Sequence, residues 1–185
     1  MRDTYLADIR RSFRNYRHLA ETALAQLDEG QLTATLGTDD NSIAIIMQHV
    51  AGNLRSRFTD FLTADGEKPD RDRDAEFESH PGLSRDALMA DWNSAWDVLL
   101  YEIDALTPAD LDRTVHIRRE PFAVVEALDR SVTHIAYHVG QIVFLAKHLM
   151  GANWTSLSIP KGRSRETGMG TFKKGFVPTA GKPAT

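Results

Sequence analysis

Between residues 122 and 150 the chain carries Val125, Leu128, Val132, Ile135, Val139, Ile142, Ala146 and Leu149, with steps of three and four in strict alternation. An α-helix turns once in about 3.6 residues, so this spacing lines one helical face and does not suit a strand. A stripe kept up this long is a seam, and a seam needs other helices to cover it.

Three more segments carry matching stripes. Residues 4–28 place Leu6, Ile9, Phe13, Tyr16, Ala20, Ala23 and Leu27 on one face, with Arg10, Arg11, Arg14 and Arg17 on a solvated one; Gly30 reads as the stop. Residues 42–64 carry Ile43, Met47, Val50, Leu54, Phe58 and Phe61 behind a cap at Asn41 or Ser42. Residues 84–106 carry Leu88, Trp92, Ala95, Leu99, Ile103 and Leu106 behind Ser84. The expectation is an all-α four-helix bundle with long connections at 65–82 and 107–121. Within the second connection, Thr107–Asp110 reads as the start of a short helix and Thr114–Arg118 as a brief extended stretch. With 185 residues there is room for one domain, placed at 1–165, followed by a flexible tail at 166–185 rich in Gly, Lys, Pro and Thr.

Composition narrows the partners. The net charge is −4 and the basic residues form no long stripe, which argues against nucleic acid. No apolar run approaches the ~18 residues of a membrane span, and the first residues lack the apolar core of a signal peptide. A soluble, cytoplasmic protein is expected. There is no cysteine, so neither a disulfide framework nor a thiolate ligand is available.

The chemistry points to histidine. In His134-Ile-Ala-Tyr-His138 the two imidazoles stand just over one turn apart, on one face beside the seam. Rings so placed can share a metal ion at about 2.0–2.1 Å. A second stripe in 42–64 turns polar at His49, the natural third ligand. Three protein ligands leave a coordination position open, the pattern of a catalytic site. Four histidines are left out: His18 lies among arginines, His80 stands before Pro81 in a loop, His116 sits in a polar stretch, and His148 is near the helix end, where a cation suits the helix dipole. Asn53 and Arg57 follow His49 by one and two turns, and Gln141 follows His138 by just under one. All three are expected at the cavity or, alternatively, in ordinary surface and interhelix hydrogen bonds. At the cavity, Asn53 and Gln141 would orient ligands or substrate, and Arg57 would hold an anionic group.

Other motifs fall away. HIAYH has no glutamate between its histidines, so it is not the zinc-protease helix. Asp70-Arg71-Asp72-Arg73-Asp74 resembles the start of a calcium loop, but Ala75 stands where the glycine is needed and Pro81 where the bidentate Glu is. Asp60, the carboxylate on the His49 stripe, lies about 16 Å along the helix, too far to complete a two-histidine, one-carboxylate oxygen-activating site. Three neutral imidazoles instead suit a Lewis acid, and so transfer or hydrolysis rather than redox cycling.

Three stretches, QHVAGNLRSRFTDFLTADGEKP, HIAYHVGQIVFLAKHL and NWTSLSIPKGRS, resemble the DinB/YfiT-like family over roughly residues 5–165, and within it a branch known only as a domain of unknown function. The element from His134 to Gln141, paired with the upstream His49, carries the likeness. The resemblance implies a four-helix bundle, three histidines on a divalent metal (often nickel or zinc), and commonly a dimer. Some members of that family are transferases or isomerases that use a low-molecular-weight thiol such as mycothiol, bacillithiol or glutathione.

The leading expectation is therefore a metal-dependent transferase or hydrolase acting on a small-molecule substrate, with a thiol or water as nucleophile. The alternative is a non-catalytic, stress-related interaction protein whose metal stabilises the bundle. A fourth protein ligand would favour the alternative. A homodimer is expected, because Trp92, Trp96 and Phe122 are more large apolar surface than one small bundle must bury; the rival is that all three pack inside one chain.

Overall fold

Each stripe becomes a helix, because a continuous apolar face is stable only when it is covered. The computed structural model describes residues 1–80, 82–162 and 165, and it is mostly helical with one small sheet. In chain order the elements are α1 (Arg2–Leu24), α2 (Glu29–Thr33), α3 (Ile43–Phe58), α4 (Arg85–Ala105), β1 (Thr114–Ile117), β2 (Glu120–Ala123) and α5 (Val124–Met150). The proposed tail at 166–185 lies outside the described residues. Among the described residues no helix is long and apolar enough to cross a membrane.

The helix starts follow their caps. Ser42 Oγ accepts from the Ile45 N–H at 3.3 Å and Ser84 Oγ from the Ala87 N–H at 3.2 Å. At α5 the Glu126 carboxylate accepts from the Ala123 N–H at 2.7 Å. The ends differ more from the sequence reading. Glu29-Gly30 does not stop a helix. Asp28 and Gln31 form a reciprocal capping box that opens the short α2 there. Helix α3 ends at Phe58 rather than at residue 64. Asp60 takes a left-handed conformation (φ 53°), and the chain turns back so that Gly66 O accepts from Ser56 Oγ at 2.8 Å.

The stretch expected to be extended at 114–118 forms the first strand of an antiparallel hairpin over Thr114–Ile117 and yields Arg118 to the turn; Val115 stands opposite Phe122 and His116 opposite Pro121. Its two-residue turn, Arg118-Arg119, has positive φ at both positions (55° and 66°), as tight hairpins require. No glycine or asparagine marks it. Asp65 stabilises it from outside, with its carboxylate accepting from the N–H groups of Arg118 (2.9 Å) and Arg119 (2.7 Å).

Helix α3 packs chiefly on α4 and more lightly on α5, while α1 packs chiefly on α5 and more lightly on α4. The core runs between them: Phe13, Met47, Leu54, Leu99, Ile103, Leu128, Val139 and Ile142 are fully buried. Trp92 and Trp96 are also fully buried, with their rings 5.5 Å apart. Both are interior residues of one chain and offer no surface to a second copy; Phe122 is half-buried.

Candidate metal centre

The packing of α3 on α5 brings His49 to the paired histidines. His49 is almost wholly buried on α3, whereas His134 and His138 are half-buried on successive turns of α5. The Nε2 atoms of all three face one another: His49 to His134 is 3.3 Å and His138 to His134 is 3.2 Å. One ligand atom from each residue lies within 4.8 Å of the others, and among the described residues no fourth His, Cys, Asp or Glu joins the group. Two ligands about 2.0–2.1 Å from a single ion at the tetrahedral angle stand roughly 3.3–3.4 Å apart, so the observed spacings suit one small ion.

The opposite sides of the rings decide which nitrogens carry protons. His49 Nδ1 lies 2.9 Å from Glu76 Oε2. Burial opposes ionisation of Glu76, but hydrogen bonds from His49 and Arg71 outweigh it and hold its carboxyl below the usual range. An ionised carboxylate only accepts, so His49 Nδ1 donates to it, and with a single proton on the ring its Nε2 carries a lone pair. His138 Nδ1 lies 2.8 Å from Gln141 Oε1, an acceptor, which leaves His138 Nε2 a lone pair as well. Both lone pairs point at His134 Nε2. A single N–H there could satisfy one of them, and a cation satisfies all. Burial first, then His138, His49, Arg57 and Arg71, push the His134 imidazole down to about 3, so it is neutral at ordinary pH. Burial also lowers His138, against the opposing effect of its Gln141 hydrogen bond. His134 Nδ1 has no hydrogen-bond partner among the described residues.

The 65–82 connection builds one wall of this site. A single 3-10 turn, Ala75–Phe77, delivers Glu76 to His49 and lays the Phe77 ring 4.6 Å from the His49 ring. Arg71 clamps Glu76 through Nε to Oε1 at 2.7 Å and Nη2 to Oε2 at 2.9 Å. Gly52, just under one turn past His49, makes room. A Cβ there would stand 2.2 Å from Glu76 Oε1 and 2.6 Å from its Cδ.

Asn53 lines a cavity of about 590 Å³ together with His49, His134 and Tyr137. Arg57 lines it too, but its guanidinium donates to Gly66 O and, at 3.1 Å, to Glu67. Gln141 is held behind His138. Sequence reasoning missed Glu76, Arg71 and Phe77. Ligating histidines want an acceptor for their outer N–H, which signals that some carboxylate is needed. Seven acidic residues lie between 65 and 80, and spacing does not select among them.

The family described as "Protein of unknown function (DUF1572)" matches residues 1–163, and the chain belongs to it. No curated protein and no solved structure matches the chain.

Proposed function

We propose that this DUF1572 protein is a DinB/YfiT-like four-helix bundle that holds one divalent transition metal, nickel or zinc, on His49, His134 and His138, and catalyses nucleophilic transfer or hydrolysis. One observation carries the reading. Two imidazole nitrogens, on rings oriented by Glu76 and Gln141, converge on the nitrogen of a third, half-buried imidazole at 3.2–3.3 Å. Such a cluster of acceptors is costly without a cation. The four long helices, with α3 and α5 in contact at the triad, support the bundle part.

When bound, the metal supplies Lewis acidity at its open position, where a water or thiol loses its proton more readily. The protein's own groups do the rest. Glu76 and Gln141 keep His49 and His138 in the ligating tautomer. Arg71 keeps Glu76 ionised and in place. Asn53 offers a polar contact at the cavity wall. A chain without cysteine takes any thiol from outside, and a low-molecular-weight thiol fits a cavity of this size. The lack of a fourth ligand among the described residues favours this reading over a closed structural site. We propose a homodimer as well. With Trp92 and Trp96 buried, its support passes to Tyr137 and Phe144, two turns apart and exposed on α5.

The test is metal content per chain after loading with nickel or zinc. The wild type should hold about one ion, and His134→Ala far less. A screen of thiols against electrophiles should then find turnover that needs no electron donor and falls in His49→Ala. Equal, near-stoichiometric metal in both proteins would sink the site, and turnover that depends on oxygen and a reductant would sink the chemistry.

A further inference from the structure

The cavity over the triad has an unusual charge. Among the described residues five arginines line it, Arg57, Arg71, Arg73, Arg118 and Arg130, and no acidic side chain does. They come from four separate places: helix α3, the 65–82 connection, the hairpin turn and helix α5. Two carboxylates behind the wall answer some of this charge. Glu67 pairs with Arg57 at 3.1 Å, Arg71 at 3.4 Å and Arg118 at 2.9 Å, and Glu76 pairs with Arg71. Counting the lining arginines and the carboxylates they pair with among the described residues, five guanidiniums stand against two carboxylates, a surplus of three positive charges.

Arg73 and Arg130 are the members without an ion pair or side-chain hydrogen bond among the described residues, and both are exposed. Each is nevertheless seated on an aromatic ring. The Arg73 guanidinium carbon lies 5.1 Å from the centre of Phe77, the ring that itself rests on His49. The Arg130 guanidinium carbon lies 6.0 Å from the centre of Phe122. Stacking orients a guanidinium while leaving its in-plane N–H groups free to donate. Arg130 is one turn before His134 on α5, so it leaves the helix on the triad's face. Arg73 lines the same cavity from the 65–82 connection, over the Phe77 ring that rests on His49.

We infer that the substrate is a small organic anion whose carboxylate or phosphate group is bound by Arg73 and Arg130, while its reacting end faces the three histidines. Guanidinium forks match the paired oxygens of either group, so the shared chemistry is a charged oxyanion. Arg57, Arg71 and Arg118 add long-range attraction and hold the wall, since their donors already serve Glu67 and Glu76. This rests on the reading of the triad as the reacting end, but the anion seat is separate from the ligands and is tested apart from them.

Calorimetric titrations of the nickel-loaded full chain use four probes: succinate, its neutral diamide succinamide, glycerol phosphate and glycerol. Succinate or glycerol phosphate should bind, the better of the two naming the anion class, and the neutral partner of each should not. Raising salt from ~20 to ~150 mM should weaken binding. Arg73→Gln and Arg130→Gln should each weaken it about tenfold or more, with unchanged circular dichroism. Because both side chains are exposed and make no hydrogen bond, these variants should fold. His134→Ala, titrated without metal, should keep anion binding within about threefold, since its arginines are intact. Equal binding of the neutral probes, full affinity in the Arg73→Gln/Arg130→Gln double variant, or no anion binding at millimolar concentration would overturn the proposal. Loss of anion binding in His134→Ala would also overturn it, because the anion would then sit on the metal. That last result would leave the proposed metal chemistry standing, whereas a wild type that takes up no metal on loading yet still binds the anion would do the reverse.

Discussion

A carboxylate on the outer nitrogen of an imidazole makes the inner nitrogen a better donor, because it stabilises the charge that ligation draws onto the ring. Glu76 therefore does more than fill space beside His49. Glu76→Gln should weaken nickel or zinc binding about 10–100-fold, read by competition with a chromophoric chelator. Gly52→Ala should act the same way from behind, since its Cβ would meet a carboxylate that Arg71 holds in place. Wild-type affinity in both variants would detach Glu76 from the site. Away from the site, the Thr107 N–H and hydroxyl and the Arg113 guanidinium donate to Asp110 and hold its carboxyl down to about 2. A carboxyl lowered in the fold stabilises it fully above the unfolded pKa, and that contribution fades as pH falls through the folded one. Asp110→Asn should thus be less stable than wild type at about pH 6, with the gap closing as the pH falls from about 4 to about 2. Denaturant titrations across that range check it, and a gap of constant size counts against the assignment.

At the scale of elements, the hairpin β1–β2 depends on a residue outside it. Two arginines in left-handed conformations carry an intrinsic strain of about 1–2 kcal/mol each. Asp65 offsets part of that by accepting both turn N–H groups and also the Glu67 N–H at 2.7 Å. Asp65→Ala should cost about 1–2 kcal/mol, seen as a lower denaturation midpoint. It should also loosen Arg118 at the cavity rim. An unchanged midpoint would mean that the turn holds without Asp65. Helix α5, by contrast, is specified along its own length. Its seam, its Glu126 reach-back and its Gly151 terminus (φ 53°) are all local.

For the whole molecule, the pairing of helices decides what the apolar residues do. Trp92 and Trp96 serve the interior between α4 and its neighbours, so Trp96→Ala should cost about 3–5 kcal/mol of stability. Light scattering on the same variant should give the wild-type mass at micromolar concentration. A changed mass at unchanged stability would return Trp96 to an interface.

The stripes alone determined that the chain is mostly helical and where the four long helices lie, because a 3.6-residue period is a property of local sequence. The i,i+4 spacing likewise put His134 and His138 on one face without any knowledge of neighbours. The helix ends at Gly30 and residue 64 were misjudged because Asp28–Gln31 capping and the Ser56–Gly66 contact compete with the apolar pattern. Everything that makes the histidines a site was decided by tertiary structure. The distance from His49 to His134 depends on α3 meeting α5 across 85 residues of sequence. Glu76 reaches His49 from 27 residues away through a connection with no period to read. Arginines that look like scattered surface charge in the sequence gather around one cavity because loop, hairpin and helix converge there. Periodicity is written in neighbours along the chain, whereas convergence is written only in which faces bury each other.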